Sequence, residues 1–199
     1  MSKNIFSIKH TLLQKADKEK LLGQKGIVLW MSGLSGSGKS TIARALENDL
    51  FDKGFLTKLL DGDNLRTGVN NNLDFSEAGR MENIRRAAEV AKLFVENGEI
   101  VICSLISPTV EIRELAKSII GAENYYEVYI NASFEECAKR DVKGLYKKAL
   151  NGEIPNFTGL NAPFDAPSNP FVELKTGEED LETSKNKLLA KVLEVVTLK

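Results

Sequence analysis

The apolar run Ile27-Val28-Leu29-Trp30-Met31 leads into Gly33-Leu34-Ser35-Gly36-Ser37-Gly38-Lys39-Ser40, and Thr41-Ile42-Ala43-Arg44-Ala45-Leu46 follows. This stretch decides the fold. The run before the glycines forms a buried strand and the segment after them starts a helix, which is the context a P-loop requires. The glycines let backbone N–H groups turn inward around a polyphosphate, and the helix N-terminus adds the positive end of its dipole. Lys39 reaches the β- and γ-phosphates, and the Ser40 hydroxyl is suited to ligate Mg²⁺. Residues Gly33 to Thr41 are therefore expected to hold a nucleoside triphosphate, ATP first. What remains open is where the phosphoryl group goes.

The rest of the chain repeats the strand-then-helix alternation. Strands are expected at 26–31, 56–61, 99–104 and 126–131, and helices at 40–51, 80–97, 109–120, 133–140 and near 180–197. Strands separated by helices of this length make a parallel sheet covered on both faces. Ile84, Ala88, Ala91 and Val95 fall at helical spacing, and Asn97-Gly98 ends that helix. The length of 199 residues fits one domain. Residues 1–25 read as a leader and 26–199 as the P-loop domain.

Segment 151–170 breaks the alternation and holds four of the five prolines. A long irregular stretch inside a compact domain is usually functional. Lysine-dense Asp141-Val142-Lys143-Gly144-Leu145-Tyr146-Lys147-Lys148 precedes it. Together, about 141–160, they read as a mobile lid that closes over phosphates, with a solvated surface helix and ordinary loop as the alternative.

Composition excludes several classes. A net charge of −1 gives no case for bulk binding to nucleic acid or an acidic membrane surface, and no apolar run approaches a membrane span. The opening Met1-Ser2-Lys3-Asn4-Ile5-Phe6 lacks a signal-peptide core. Cys103 and Cys137 lack metal-ligand spacing and fit free thiols in a reducing cytosol, so a cytoplasmic location is expected. His10 is the single histidine and lies in the polar leader, which argues against a Ser-His-Asp triad or a histidine zinc site. No guanine-reading Asn-Lys-x-Asp segment supports a GTPase switch.

Candidate chemistry gathers where strands end, because ligands of open α/β sheets bind at the carboxyl edge. The second strand ends Leu60-Asp61-Gly62-Asp63-Asn64-Leu65-Arg66. One aspartate can help hold Mg²⁺ and the other can accept a proton from an attacking hydroxyl, while both can also cap the next helix. Arg80 and Asn83 share a helix face near its start, and arginine forks suit phosphate or sulfate oxygens. Arg85 and Arg86 fit surface pairs with Glu82 and Glu89 better. Phe75 and Phe157 sit in polar loops, as purine-stacking platforms or as hydrophobic loop anchors. Ser107, in Ile106-Ser107-Pro108, first reads as the N-cap of the following helix and second as a phosphate contact or transient phosphoryl acceptor.

Taken together, the pattern resembles the adenylylsulfate kinase (APS kinase) family. The likeness is carried by the P-loop, Asp61-Gly62-Asp63-Asn64 with Arg66, Asp74-Phe75-Ser76 with Arg80, and Glu82-Asn83-Ile84-Arg85-Arg86. It continues in Ile106-Ser107-Pro108, Lys143-Gly144-Leu145-Tyr146-Lys147-Lys148 and Asn156-Phe157-Thr158-Gly159. The resemblance implies a P-loop kinase that moves the γ-phosphoryl of ATP, with Mg²⁺, to the ribose 3′-hydroxyl of adenosine 5′-phosphosulfate (APS). It implies that Arg66, Arg80 and Asn83 hold that nucleotide, that Asp63, Ile106 and Lys143 line its site, and that Phe75 and Phe157 sandwich its adenine. It leaves the role of Ser107 open between a phosphoserine intermediate and none, and ranks Asp63 before Asp61 for the hydroxyl. It further implies a homodimer, with any ATP sulfurylase upstream as a separate chain. Thr67, Ser104-Leu105 and Val142 depart from the common histidine, Ala-Phe and proline.

Overall fold

A computed structural model describes residue 4 and residues 6–198. Of the opening Met1–Phe6 stretch, all but Asn4 and Phe6 therefore lie outside the described residues. Five strands, β1 (Val28–Ser32), β2 (Thr57–Asp61), β3 (Ile100–Ser104), β4 (Tyr125–Asn131) and β5 (Val172–Lys175), form one sheet in the order β2-β3-β1-β4-β5. Every pairing is parallel. The first four strands lie within a residue or two of their expected positions. β5 was not expected.

Two-residue alternation on the central strands builds two cores. Ile27, Leu29 and Met31 with Ile100 and Ile102 face one side, where α2 (Lys39–Asp52) and α8 (Leu181–Val196) supply Ile42, Leu46, Leu50, Leu188 and Val192. Val28, Trp30, Val101 and Cys103 face the other, against Leu65 of α3 (Gly62–Thr67), Ala87, Ala88 and Ala91 of α4 (Glu77–Glu96), and Ile112 and Ala116 of α5 (Val110–Ile120). The strands read as unbroken apolar runs because both faces are covered.

The helices stop and start on local chemistry. Ser76, Thr109, Ser133 and Asp180 cap α4, α5, α6 (Phe134–Arg140) and α8 by accepting a first-turn N–H. Thr109, and not Ser107, is thus the N-cap of α5. Pro108 lies outside the helix, so the chain needs one more residue to bring a hydroxyl to the first turn.

Ahead of β1, α1 (Lys15–Leu22) is closed by a reciprocal Gln14–Asp17 box. It lies against its own chain: Glu19 accepts the Gly26 N–H at 2.8 Å, and the buried Gln24 amide donates to the Leu56 and Gly98 carbonyls at 2.9 Å each. The single histidine, His10, is exposed in a 3₁₀ turn, Lys9–Thr11.

The irregular segment carries a third cluster of its own. Tyr146 and Ala149 of α7 (Leu145–Leu150) pack with Phe157, Cys137 and the P-loop side chain Leu34. Leu174 of β5 is fully buried against α8. Leu174→Ala should therefore cost about 2–5 kcal/mol, read as a lower urea midpoint at unchanged slope. A loss under about 1 kcal/mol would mean the edge strand contributes little to the core.

Candidate active site

Each carboxyl-edge residue inherits its place from strand register. Met31 pairs with Ser104, and Ser104 with Asp61, so the ends of β1, β3 and β2 stand side by side. The chain leaves β1 through Gly33, whose φ is 150° and where a Cβ would meet the Ile130 carbonyl oxygen at 2.5 Å, so only glycine passes. Gly38, at φ 103°, precedes α2 and carries no side chain to satisfy the first-turn N–H groups. Lys39 is 8% exposed and turns back into the loop, donating to the carbonyls of Gly33 (2.9 Å) and Leu34 (2.7 Å) and approaching Ser37 Oγ (3.5 Å). Burial pulls its ammonium down to about 8, partly opposed by the charges of Cys137 and Asp61.

Ser40 Oγ donates to Asp61 Oδ2 at 2.7 Å and lies 3.3 Å from Ser104 Oγ. The two expected metal ligands therefore meet. Asp61 also caps α3 through its other oxygen, accepting the Asp63 N–H at 3.0 Å, so capping and site geometry coexist in one side chain. Thr41 follows on the exposed face of α2. Oxygen donors of this kind suit Mg²⁺, and among the described residues no cluster of three or more His, Cys, Asp or Glu forms a metal cage.

On the other side of the edge, the candidate acceptor residues are tied in pairs. Lys143 forms an ion pair with Asp63. Both side chains are largely exposed, so the pair is worth only about 0–1 kcal/mol and opens readily. Arg80 donates to the Phe75 carbonyl (3.0 Å), to Thr158 Oγ1 (2.7 Å) and to the Asn156 carbonyl (2.6 Å), which joins α4 to both loops that carry the candidate phenylalanines. Arg66 donates to the Leu73 and Asp74 carbonyls and stands 4.2 Å from the centre of the Phe75 ring. Burial lowers the Arg66 pKa, and the charge of Arg80 lowers it further, so the two guanidiniums share one electropositive corner. Asn83 is buried and accepts from Asn70 Nδ2 at 3.0 Å. Phe75 is 65% exposed, whereas Phe157 is buried with its edge on Tyr146.

Ile106 joins the P-loop directly, its carbonyl accepting the Gly33 N–H at 3.3 Å. Ser107 is 1% exposed and has a φ of 45°, a left-handed conformation that costs a non-glycine residue on the order of 1–3 kcal/mol. Its Oγ accepts the Trp30 indole N–H at 2.9 Å. Arg85 and Arg86 pair with Glu82 at 2.7 and 2.8 Å, as their spacing predicts.

Three supports of the P-loop were missed. The Tyr146 hydroxyl donates to the Ser35 carbonyl (2.7 Å), Arg140 donates to the Gly36 and Ser37 carbonyls, and Thr176 Oγ1 donates to the Ser37 carbonyl (2.7 Å). Tyr146 stood in the sequence only as a member of the lysine-dense, family-like stretch 143–148, with no role of its own. Nothing local marked Arg140 or Thr176, because their partners are 103 to 139 residues away.

A family model described as Adenylylsulphate kinase matches residues 25–175. The chain belongs to that family. An adenylyl-sulfate kinase from Phocaeicola vulgatus is 55% identical over 193 residues, covering 97% of this chain and 95% of the relative. One from Clostridium acetobutylicum is 52% identical over 172 residues, covering 86% of each. Among solved structures, the Mycobacterium tuberculosis APS kinase CysC in complex with AMPPNP and APS superposes with a TM-score of 0.81 at 40% identity, covering 84% of this chain and 98% of that one. A gluconokinase from Sinorhizobium meliloti, 16% identical with a TM-score of 0.56 and covering 85% of this chain and 93% of that one, shares the fold alone.

The Lys39 environment sets a pH dependence for this adenylylsulfate kinase family member. An ammonium is the form that attracts a phosphate, and at Lys39 of the free protein it is lost above about pH 8. Affinity for AMPPNP should hold steady from about pH 7 to 8 and then weaken, approaching tenfold per unit of pH, because binding must take up a proton. Titration calorimetry checks this, and an affinity unchanged to about pH 9.5 would remove Lys39 from the polyphosphate site.

Proposed function

We infer that the chain transfers the γ-phosphoryl group of ATP to the ribose 3′-hydroxyl of APS, giving 3′-phosphoadenosine 5′-phosphosulfate and ADP. The observation that carries this reading is the match along nearly the whole domain to a kinase solved with AMPPNP and APS together. In this reading Gly33 to Thr41 hold the triphosphate of ATP, and Lys39 offsets charge gathering on the transferred group. Ser40 and Asp61 hold Mg²⁺, which supplies charge neutralisation at the phosphates. Asp63 orients the hydroxyl and takes its proton as the new P–O bond forms and the bond to the ADP oxygen breaks. Its pairing with Lys143 supports a lid, about 141–160, that exchanges this exposed contact for substrate and closes over the phosphates.

Arg66, Arg80 and Asn83 bind the phosphosulfate end, with Ile106 beside it, and Phe75 and Phe157 flank the adenine. Ser107 stays uncharged and unmodified: its hydroxyl is buried and engaged by Trp30, which favours a direct in-line transfer. A homodimer belongs to the reading, and the exposed Leu12, Leu13 and Leu21 suit a subunit contact. So do a separate ATP sulfurylase chain that supplies APS and a cytoplasmic setting, which the free thiols of Cys103 and Cys137 support.

An ADP-release assay with APS, AMP and gluconate as acceptors tests the function, with the phosphorylated position read by NMR. Turnover with APS alone and a 3′-phosphate are expected; equal turnover with AMP or gluconate refutes the acceptor. Asp63→Asn should lower kcat about a hundredfold or more and leave nucleotide binding nearly unchanged, while a pure KM effect argues against a role at the hydroxyl. Ser107→Ala should keep transferring phosphate near the wild-type rate, which would show that a phosphoserine is not obligatory.

A further inference from the structure

The geometry points to Arg113 as a positioning residue for the acceptor side of the site, acting through the carbonyls of Ser107 and Pro108. The inference rests on the reading that Ile106 and Ser107 border the sulfonucleotide. Arg113 lies in the first turns of α5 and is 4% exposed, an unusual burial for a guanidinium. Its Nη1 donates to the Ser107 carbonyl at 3.1 Å and the Pro108 carbonyl at 3.4 Å. Nε stands 2.7 Å from Glu127 Oε1 of β4, in an ion pair whose N–H is not aimed along the contact. The guanidinium thus spans from β4 to the peptide that follows β3.

That peptide needs an external hold. Ser107 is in a left-handed conformation, which turns its carbonyl away from the direction a continuing strand would give it. Arg113 meets the carbonyl there. The Ser107 hydroxyl is fixed separately by Trp30, and the Ile106 carbonyl by Gly33. The segment 106–108 is therefore clamped between the P-loop and one buried cation. Pro108 extends the clamp: its carbonyl also accepts the Asp165 N–H at 2.8 Å, and Asp165 Oδ2 accepts the Val110 N–H at 3.2 Å. Without the fork, two buried carbonyls and the Glu127 carboxylate lose their common partner, and the Ser107 peptide is free to relax toward an extended conformation. The P-loop cradle keeps its own supports, Tyr146, Arg140 and Thr176, none of which touches Arg113. Loss of Arg113 should therefore fall on one nucleotide and not on the other.

The test is steady-state kinetics of Arg113→Lys and Arg113→Met with ATP and APS varied in turn, together with the ¹⁵N resonance of the Trp30 indole, the only indole in the chain. KM for APS should rise about tenfold or more, as for loss of a charge-assisted bond, with KM for ATP inside about twofold. The indole signal should move in the ligand-free variants, because its acceptor is Ser107. Should Arg113→Met not fold, Arg113→Lys carries the test: it keeps a cation for Glu127 but cannot reproduce the fork. Equal rises in both KM values, wild-type constants in Arg113→Lys, or an unmoved indole signal each overturn the inference. The indole is read without nucleotide. A shifted signal in a protein that does not phosphorylate APS would therefore sink the proposed function while sustaining the hold of Arg113 on Ser107.

Discussion

A buried ammonium held by backbone carbonyls is the constraint on which the rest of the site depends. Lys39 cannot leave the loop without exposing the Gly33 and Leu34 carbonyls, and it cannot stay charged in so dry a place without oxygen partners. The loop must therefore be stiff, and stiffness comes from outside it. Tyr146 holds Ser35, Arg140 holds Gly36 and Ser37, and Thr176 holds Ser37, each through a main-chain carbonyl. Carbonyls drawn outward turn the intervening N–H groups inward, which is the orientation an anion needs. Side chains from α6, α7 and the end of β5 thus shape a binding surface that they do not themselves line.

Much of this was legible because it depends on local patterns. Apolar runs bounded by glycine marked β1 to β4 within a residue or two, and the Asp-Gly-Asp turn marked the carboxyl end of β2. β5 escaped because Val172-Glu173-Leu174-Lys175 is four residues long, alternates, and lies at an edge, so it lacks the continuous run that a doubly covered strand shows. α7 stood only as part of a lid, with a solvated surface helix as the alternative, because six residues rich in lysine have an apolar face completed only by Leu34 and Phe157. Ser107 was assigned the cap of α5 on spacing, but the positive φ there cannot be read from a sequence, and it moves the hydroxyl toward Trp30 and leaves the cap to Thr109. The Arg80 bonds to Asn156 and Thr158 were likewise invisible, since nothing local announces a partner 76 to 78 residues away.

The cations of the edge divide by how much it costs to change their partners. Lys143 and Asp63 are mostly in water, so their contact exchanges for a ligand at little cost. Arg66 and Arg80 are intermediate: each is partly desolvated and holds main-chain carbonyls, so an arriving oxyanion must offer better acceptors than neutral peptide groups. Lys39 and Arg113 are buried, and moving either one strands polar atoms. Burial therefore sorts one kind of charge by how readily its partners exchange: the exposed Lys143–Asp63 contact most, the partly desolvated Arg66 and Arg80 less, and the buried Lys39 and Arg113 least. Lys39 and Arg113 hold the peptides that follow β1 and β3, strands packed on both faces, where displacement is least tolerated.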